Sequence, residues 1–302
     1  MDKNKLKQQI KADSMATLKN LSMAPLGAVL IASVTVDVVQ ATTFYGNIQP
    51  LGDGLIRSFV TLDDSEQPLE IGAKFRQQAL SNLPSERPAY IYELSLPQEA
   101  STTAIKGLAM AWVTQGHMPE EIFGIPHFHF EFTLLSQQER QQITGTGDDE
   151  DRAYKLPPPE FTPQDYRPLD RTSFQPGLGL LMVDTTAPFF QGEALTAAPF
   201  YHSYNGQIVN DELMIAKSFL ETKPNISGVL KLPAAYPKSA YYPTEYRVSY
   251  DATTQEYTVS LSELTYRSAK PIPELSPIWG LLAIGAWGAV SQVKNKLQKK
   301  IS

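Results

Sequence analysis

The chain has 302 residues, no cysteine and a formal net charge of −6. Without a thiol, disulfides, zinc–thiolate centres and cysteine nucleophiles are excluded. Between Thr42 and Lys270 the sequence holds 17 Lys and Arg against 28 Asp and Glu; so acidic a surface repels phosphate backbones, and nucleic acid is not an expected partner.

Residues 1–41 read as a signal peptide. Lys3, Lys5, Lys7, Lys11 and Lys19 precede the uncharged run Ala24–Val36, and Val39-Gln40-Ala41 places short side chains before a cleavage point after Ala41. The run is shorter than the about 20 residues that a spanning helix needs. Residues 42–270 then form an exported body large enough to bury its own apolar core.

Short β-type runs dominate that body. Leu55–Leu62 alternates around Ile56, Phe59 and Val60 and stops at the turn-rich Asp63–Pro68. Ala89–Leu96, Gly107–Thr114 and Phe128–Leu135 are further strand candidates. Glu245–Tyr250 and Glu256–Leu261 read as a hairpin about Asp251–Gln255, with Tyr246, Val248 and Tyr250 facing Tyr257, Val259 and Leu261. Helix is sparse: Lys74–Leu83, Gln137–Ile143 and, best supported by spacing, Asp211–Thr222. On this reading Asp211 and Glu212 are helix-start carboxylates, the alternative being that Glu212 stands behind the histidine site as a neighbour of its ligands. Gly145–Pro176 reads as a long proline-rich loop carrying the acidic run Asp148–Asp151. The expected fold is mainly β, an antiparallel sandwich or barrel-like body with a few short helices.

Three of the four histidines fall in one segment, His117, His127 and His129. In a strand, side chains alternate faces at about 3.3 Å per residue, so His127, His129 and Glu131 share one face while Phe128, Phe130 and Phe132 pack on the other. With His117 arriving from the preceding turn, the set His117, His127, His129 and Glu131 is a candidate site for a divalent transition metal: zinc, iron, manganese, nickel or copper. A nucleophile elbow, a phosphate-binding glycine loop and a His-Glu-x-x-His helix are all missing from the sequence. Tyr236, Tyr241, Tyr242, Tyr246 and Tyr250 could form a stacking platform for sugars, or half-buried sheet faces.

The body resembles an uncharacterised family of exported bacterial proteins that carry a Gly-His-x-Pro turn followed by a Pro-His-Phe-Asp-Phe-His-Phe-Tyr strand. Here those segments read Gly116-His117-Met118-Pro119 and Pro126-His127-Phe128-His129-Phe130-Glu131-Phe132. Further likeness lies in Gly52–Asp63, Pro68–Gly72, Pro199–Gly206 and Asp211–Ile215. His117 and His127 match family histidines, while His129 and Glu131 exchange the family's Asp and His. Leu181 stands where the family has a later histidine, which leaves His202 as its substitute.

The C-terminal segment 271–302 resembles a PEP-CTERM sorting signal. Ile272-Pro273-Glu274-Leu275 precedes the apolar run Ser276–Val290, and Lys294, Lys296, Lys299 and Lys300 follow it. The resemblance implies an exosortase-type processing enzyme as partner, a membrane contact through 276–290 before processing, and delivery to the envelope or to extracellular polysaccharide. The expectation is therefore an exported, envelope- or matrix-associated binding or structural protein with a metal site. The alternative is a cupin-like metal-dependent enzyme using the same residues.

Overall fold

The structure, a computed structural model, describes residues 40–272. The apolar runs expected near each end, with the signal peptide and sorting tail they belong to, lie outside the described residues apart from the few at the junctions. No helix among the described residues is long and apolar enough to cross a membrane.

Two antiparallel sheets make the body. The first holds β1 (Thr42–Tyr45), β2 (Gln49–Leu51), β3 (Gly54–Leu62), β4 (Pro68–Arg76), β13 (Asn225–Val229), β15 (Glu245–Asp251) and β16 (Glu256–Ser262). Its order is β1-β3-β4-β16-β15-β13, with β2 also on β3. The second holds β5 (Ala89–Leu94), β6 (Gly107–Val113), β7 (His127–Thr133), β8 (Tyr166–Pro168), β9 (Phe174–Gln175), β10 (Gly179–Asp184), β11 (Ala197–Tyr204) and β12 (Gln207–Ala216). Its order is β5-β6-β7-β12-β11-β10-β8, with β9 also on β10. A separate pair joins β14 (Ala240–Tyr242) to β17 (Thr265–Arg267).

The main core lies where the two sheets face each other. Val60, Ile71, Phe75 and Val259 from the first sheet meet Met110, Phe128, Phe130 and Leu213 from the second. Phe75 and Phe130 stack across the gap with ring centroids 6.2 Å apart. Apolar burial of this kind, in the absence of cysteine, is what holds the body together.

The mainly β, antiparallel sandwich expected from the sequence is what forms. β3, β5, β6 and β7 occupy the expected strand segments, shifted only at their ends. The β15–β16 hairpin has the expected register, with Tyr246 opposite Leu261, Val248 opposite Val259 and Tyr250 opposite Tyr257.

Two expected helices are corrected. Lys74–Leu83 begins as the end of β4, hydrogen-bonded between β3 and β16, and only Gln77–Leu80 turns, as a 3-10 helix. Asp211–Thr222 begins as the second half of β12, and only α4 (Lys217–Glu221) is helical. In both places a sheet ladder from distant strands overrides local propensity. Three other α-helical turns occur among the described residues: α1 (Glu120–Phe123), α2 (Gln137–Arg140) and α3 (Glu150–Ala153). α2 falls where a helix is expected; Ser136 and Glu139 cap it reciprocally.

The segment expected as a long loop is broken into α3, β8, β9 and short 3-10 turns. Buried Asp149 anchors it, accepting hydrogen bonds from the Thr144 and Gly145 amides at 2.7 and 2.9 Å and from the Tyr204 hydroxyl. Arg152 pairs with the same carboxylate at 2.9 Å. Burial opposes its ionisation, yet these bonds outweigh burial and hold the carboxyl at about 2. Nor do the tyrosines form one platform: Tyr236 packs on Tyr242, Tyr241 on Tyr266 and Tyr250 on Tyr257.

Candidate metal centre

The site begins in the connection from β6 to β7. Gly116 has φ +82°, and a Cβ there would stand 2.2 Å from the Phe123 carbonyl oxygen, so this close turn requires glycine. The next residue closes the loop, His117 donating its amide to the same carbonyl at 3.0 Å. Phe123 is fully buried against Phe189 and Phe200, which ties the loop to the second sheet.

The alternation of β7 does the rest. Phe128, Phe130 and Phe132 enter the main core. His127, His129 and Glu131 project from the opposite face and are buried there as well. A smaller apolar cluster containing Phe123, Leu181, Phe200 and Met214 surrounds them.

Two of the imidazoles have their tautomers set by backbone. His117 Nδ1 lies 2.8 Å from the Met118 carbonyl and His127 Nδ1 lies 2.6 Å from the Ile125 carbonyl. A carbonyl can only accept, so each Nδ1 carries the proton and each Nε2 keeps its lone pair. His127 Nε2 and His129 Nε2 are 2.8 Å apart. One nitrogen from each of His117, His127 and His129 falls within 4.8 Å of the other two.

A second group adjoins the first through His129. It joins His129, Glu131 and Glu212, again within 4.8 Å. Glu212 comes from β12, opposite Glu131 in the β7–β12 register. Its Oε1 is 2.7 Å from His129 Nδ1, and its Oε2 is 3.7 Å from His202 Nδ1. Asn210 donates from Nδ2 to Glu131 Oε2 and lies 3.2 Å from His202 Nδ1. Thus His202, on β11, joins the cluster from the neighbouring strand, while its register partner Leu181 on β10 presents an apolar side chain to the same face.

Charge in this cluster is strongly constrained. Burial lowers His117, and it carries His127 down to about 3 and His202 to about 4. Burial also works against protonated His129, but the Glu212 and Glu131 carboxylates outweigh it and raise that imidazole above its ordinary range. Glu212 is 1 % exposed, and neither of its oxygens is met by a donor in hydrogen-bonding geometry. His202 Nε2 is likewise buried without a partner. Orphaned acceptors of this kind, on a buried carboxylate among imidazoles, fit a bound cation. This buried His/Glu group could hold a metal ion.

The cluster floors an open cup of about 750 Å³. His117, His129 and Glu131 line it, beneath apolar walls that include Ile91, Val113 and Leu181. His127, His202 and Glu212 lie below the lining. Sequence reasoning did not identify Asn210, and it placed Glu212 at the start of a helix. Asn210 and Glu212 share a strand face by alternate spacing, but the segment carries no polar–apolar period that would mark it as a strand.

Comparison of the chain with family models, curated proteins and solved structures finds no match.

Proposed function

We propose that this chain is an exported metal-binding protein of the cell envelope or extracellular matrix. His117, His127 and His129 hold one divalent transition ion, and Glu212 orients His129 from behind. The observation that carries the reading is the buried Glu212 carboxylate, its Oε1 2.7 Å from Nδ1 of a histidine whose other nitrogen faces two imidazoles. Carboxylate–histidine pairs of this kind set the tautomer and basicity of metal-binding imidazoles. Neutral imidazoles with carboxylates suit zinc, iron, manganese, nickel or copper alike.

Export and anchoring rest on the lysine-flanked apolar run before Ala41 and on the Pro273-Glu274 pair, apolar run and lysine end of 271–302. This makes an exosortase-type enzyme the processing partner and extracellular polysaccharide a candidate neighbour.

A second reading, a metal-dependent enzyme, is favoured by one specific feature: two of the three histidines, His117 and His129, open onto the cup. A metal there supplies Lewis acidity to a small ligand. The protein would contribute a largely apolar wall that excludes water, and Glu131 at the cup surface as a proton acceptor.

Elemental analysis by plasma mass spectrometry, on protein purified without a histidine tag, tests the metal. About one transition ion per chain, absent from a His129→Ala variant, is the expected result. A metal-free wild-type protein whose melting temperature ignores both chelator and added metal would overturn it.

A further inference from the structure

On the face of the second sheet opposite the histidines lies an unrelated cavity of about 130 Å³. That is room for several waters, hence for a ligand of a few heavy atoms. Asp211 reaches it because it alternates with Glu212 along β12: it pairs with Tyr201 on β11 and Phe132 on β7, on the core side of the sheet. Tyr201, Tyr236 and Tyr242 also line the cavity, with Lys106 and Lys238 among its remaining walls.

The polar groups here are unpaired. Asp211 is 8 % exposed, and among the described residues burial alone acts on its carboxyl, with no hydrogen bond or cation beside it. The Tyr236 hydroxyl is buried without a partner in the same cavity. The other two phenols are already committed, Tyr201 to the Lys231 carbonyl and Tyr242 to the Lys238 carbonyl. Burial pushes the Asp211 carboxyl up to about 7, and with a free phenol and tyrosine rings around it the group suits an ammonium, which favours the ionised carboxylate as a neutral hydroxyl would not.

The outer end carries the opposite sign. Lys106 and Lys238 are exposed, and neither has a carboxylate within 4 Å among the described residues. The Lys106 ammonium is held in place by the Thr103 and Ser101 carbonyls at 2.9 and 3.3 Å. Two lysines at the entrance repel a simple cation and attract an acid group. We propose that this cavity binds a small amino acid-like zwitterion, its ammonium on Asp211 and Tyr236 and its acid group at Lys106 and Lys238. The site is independent of the metal reading and backs onto it through one strand.

Isothermal titration of the full chain with glycine, β-alanine and γ-aminobutyrate, against n-propylamine and propionate, tests this. At least one zwitterion is expected to bind one to one, about tenfold tighter than either single-charge control. Asp211→Asn should lower that affinity about tenfold or more, while metal content stays as in the wild type. Lys106→Ala with Lys238→Ala should weaken the zwitterion and leave propylamine no weaker. Tyr236→Phe, a smaller change that removes only the unpaired hydroxyl, should also weaken the zwitterion with the melting temperature retained. Absence of zwitterion binding, equal binding of either control, or undiminished binding to both the Asp211→Asn and Tyr236→Phe proteins would overturn the proposal.

Discussion

His129 and Glu212 meet diagonally across the β7–β12 pair, Nδ1 to Oε1 at 2.7 Å, although the register sets His129 opposite Met214 and Glu212 opposite Glu131. The contact brings an imidazole and a carboxylate together with almost no water to screen them. It therefore controls which His129 nitrogen faces the other imidazoles.

Glu212→Gln separates orientation from ligation. The amide keeps the shape but loses the charge that holds His129. Metal affinity, measured by competition with a chelator, is expected to fall about 10- to 100-fold while His127→Ala removes the metal altogether. Equal metal affinity in Glu212→Gln and the wild type would place Glu212 outside the metal's environment.

Gly116→Ala acts on the site from outside it. The added Cβ meets the Phe123 carbonyl oxygen at 2.2 Å, and φ +82° is unfavourable for alanine. Strain of about 1–3 kcal/mol is expected, with His117 displaced. Calorimetry should show a lower melting temperature, and metal titration a weaker site.

Phe130→Ala is the packing control. Phe130 is 1 % exposed and lies between Phe75 and Phe128 in the main core. Denaturant unfolding should register a loss of about 3–5 kcal/mol. A loss under about 1 kcal/mol would show that the sheets do not pack as described.

Asp149 gives the pH response of the proline-rich segment. Its carboxyl sits at about 2 when folded, against 3.8 as the ordinary value. A depressed acid stabilises the fold while ionised, so its contribution is complete above about pH 4 and is lost as pH falls toward 2. Asp149→Asn should lower stability at neutral pH and flatten the acid limb between those values, measured by thermal melts at stepped pH.

The alternation of His127, His129 and Glu131 against three phenylalanines was legible in the sequence because strand periodicity is a local property of two residues. So was the β15–β16 register, set by a short turn and two alternating runs. β12 was not legible. It is buried along nearly its whole length on both faces, so its side chains show no polar–apolar period, and the spacing of Leu213, Ile215, Phe219 and Leu220 imitates a helix across a strand–helix junction.

The sequence by itself determined a cysteine-free, acidic, β-rich body and the three side chains that β7 sends to one face. Only the tertiary structure decided that His202, Asn210 and Glu212 join them, and that Asp211 turns away into a tyrosine-lined cavity. The reason is the strand order β7-β12-β11: adjacency in a sheet depends on hydrogen bonds between segments far apart in the chain, and no local pattern encodes it.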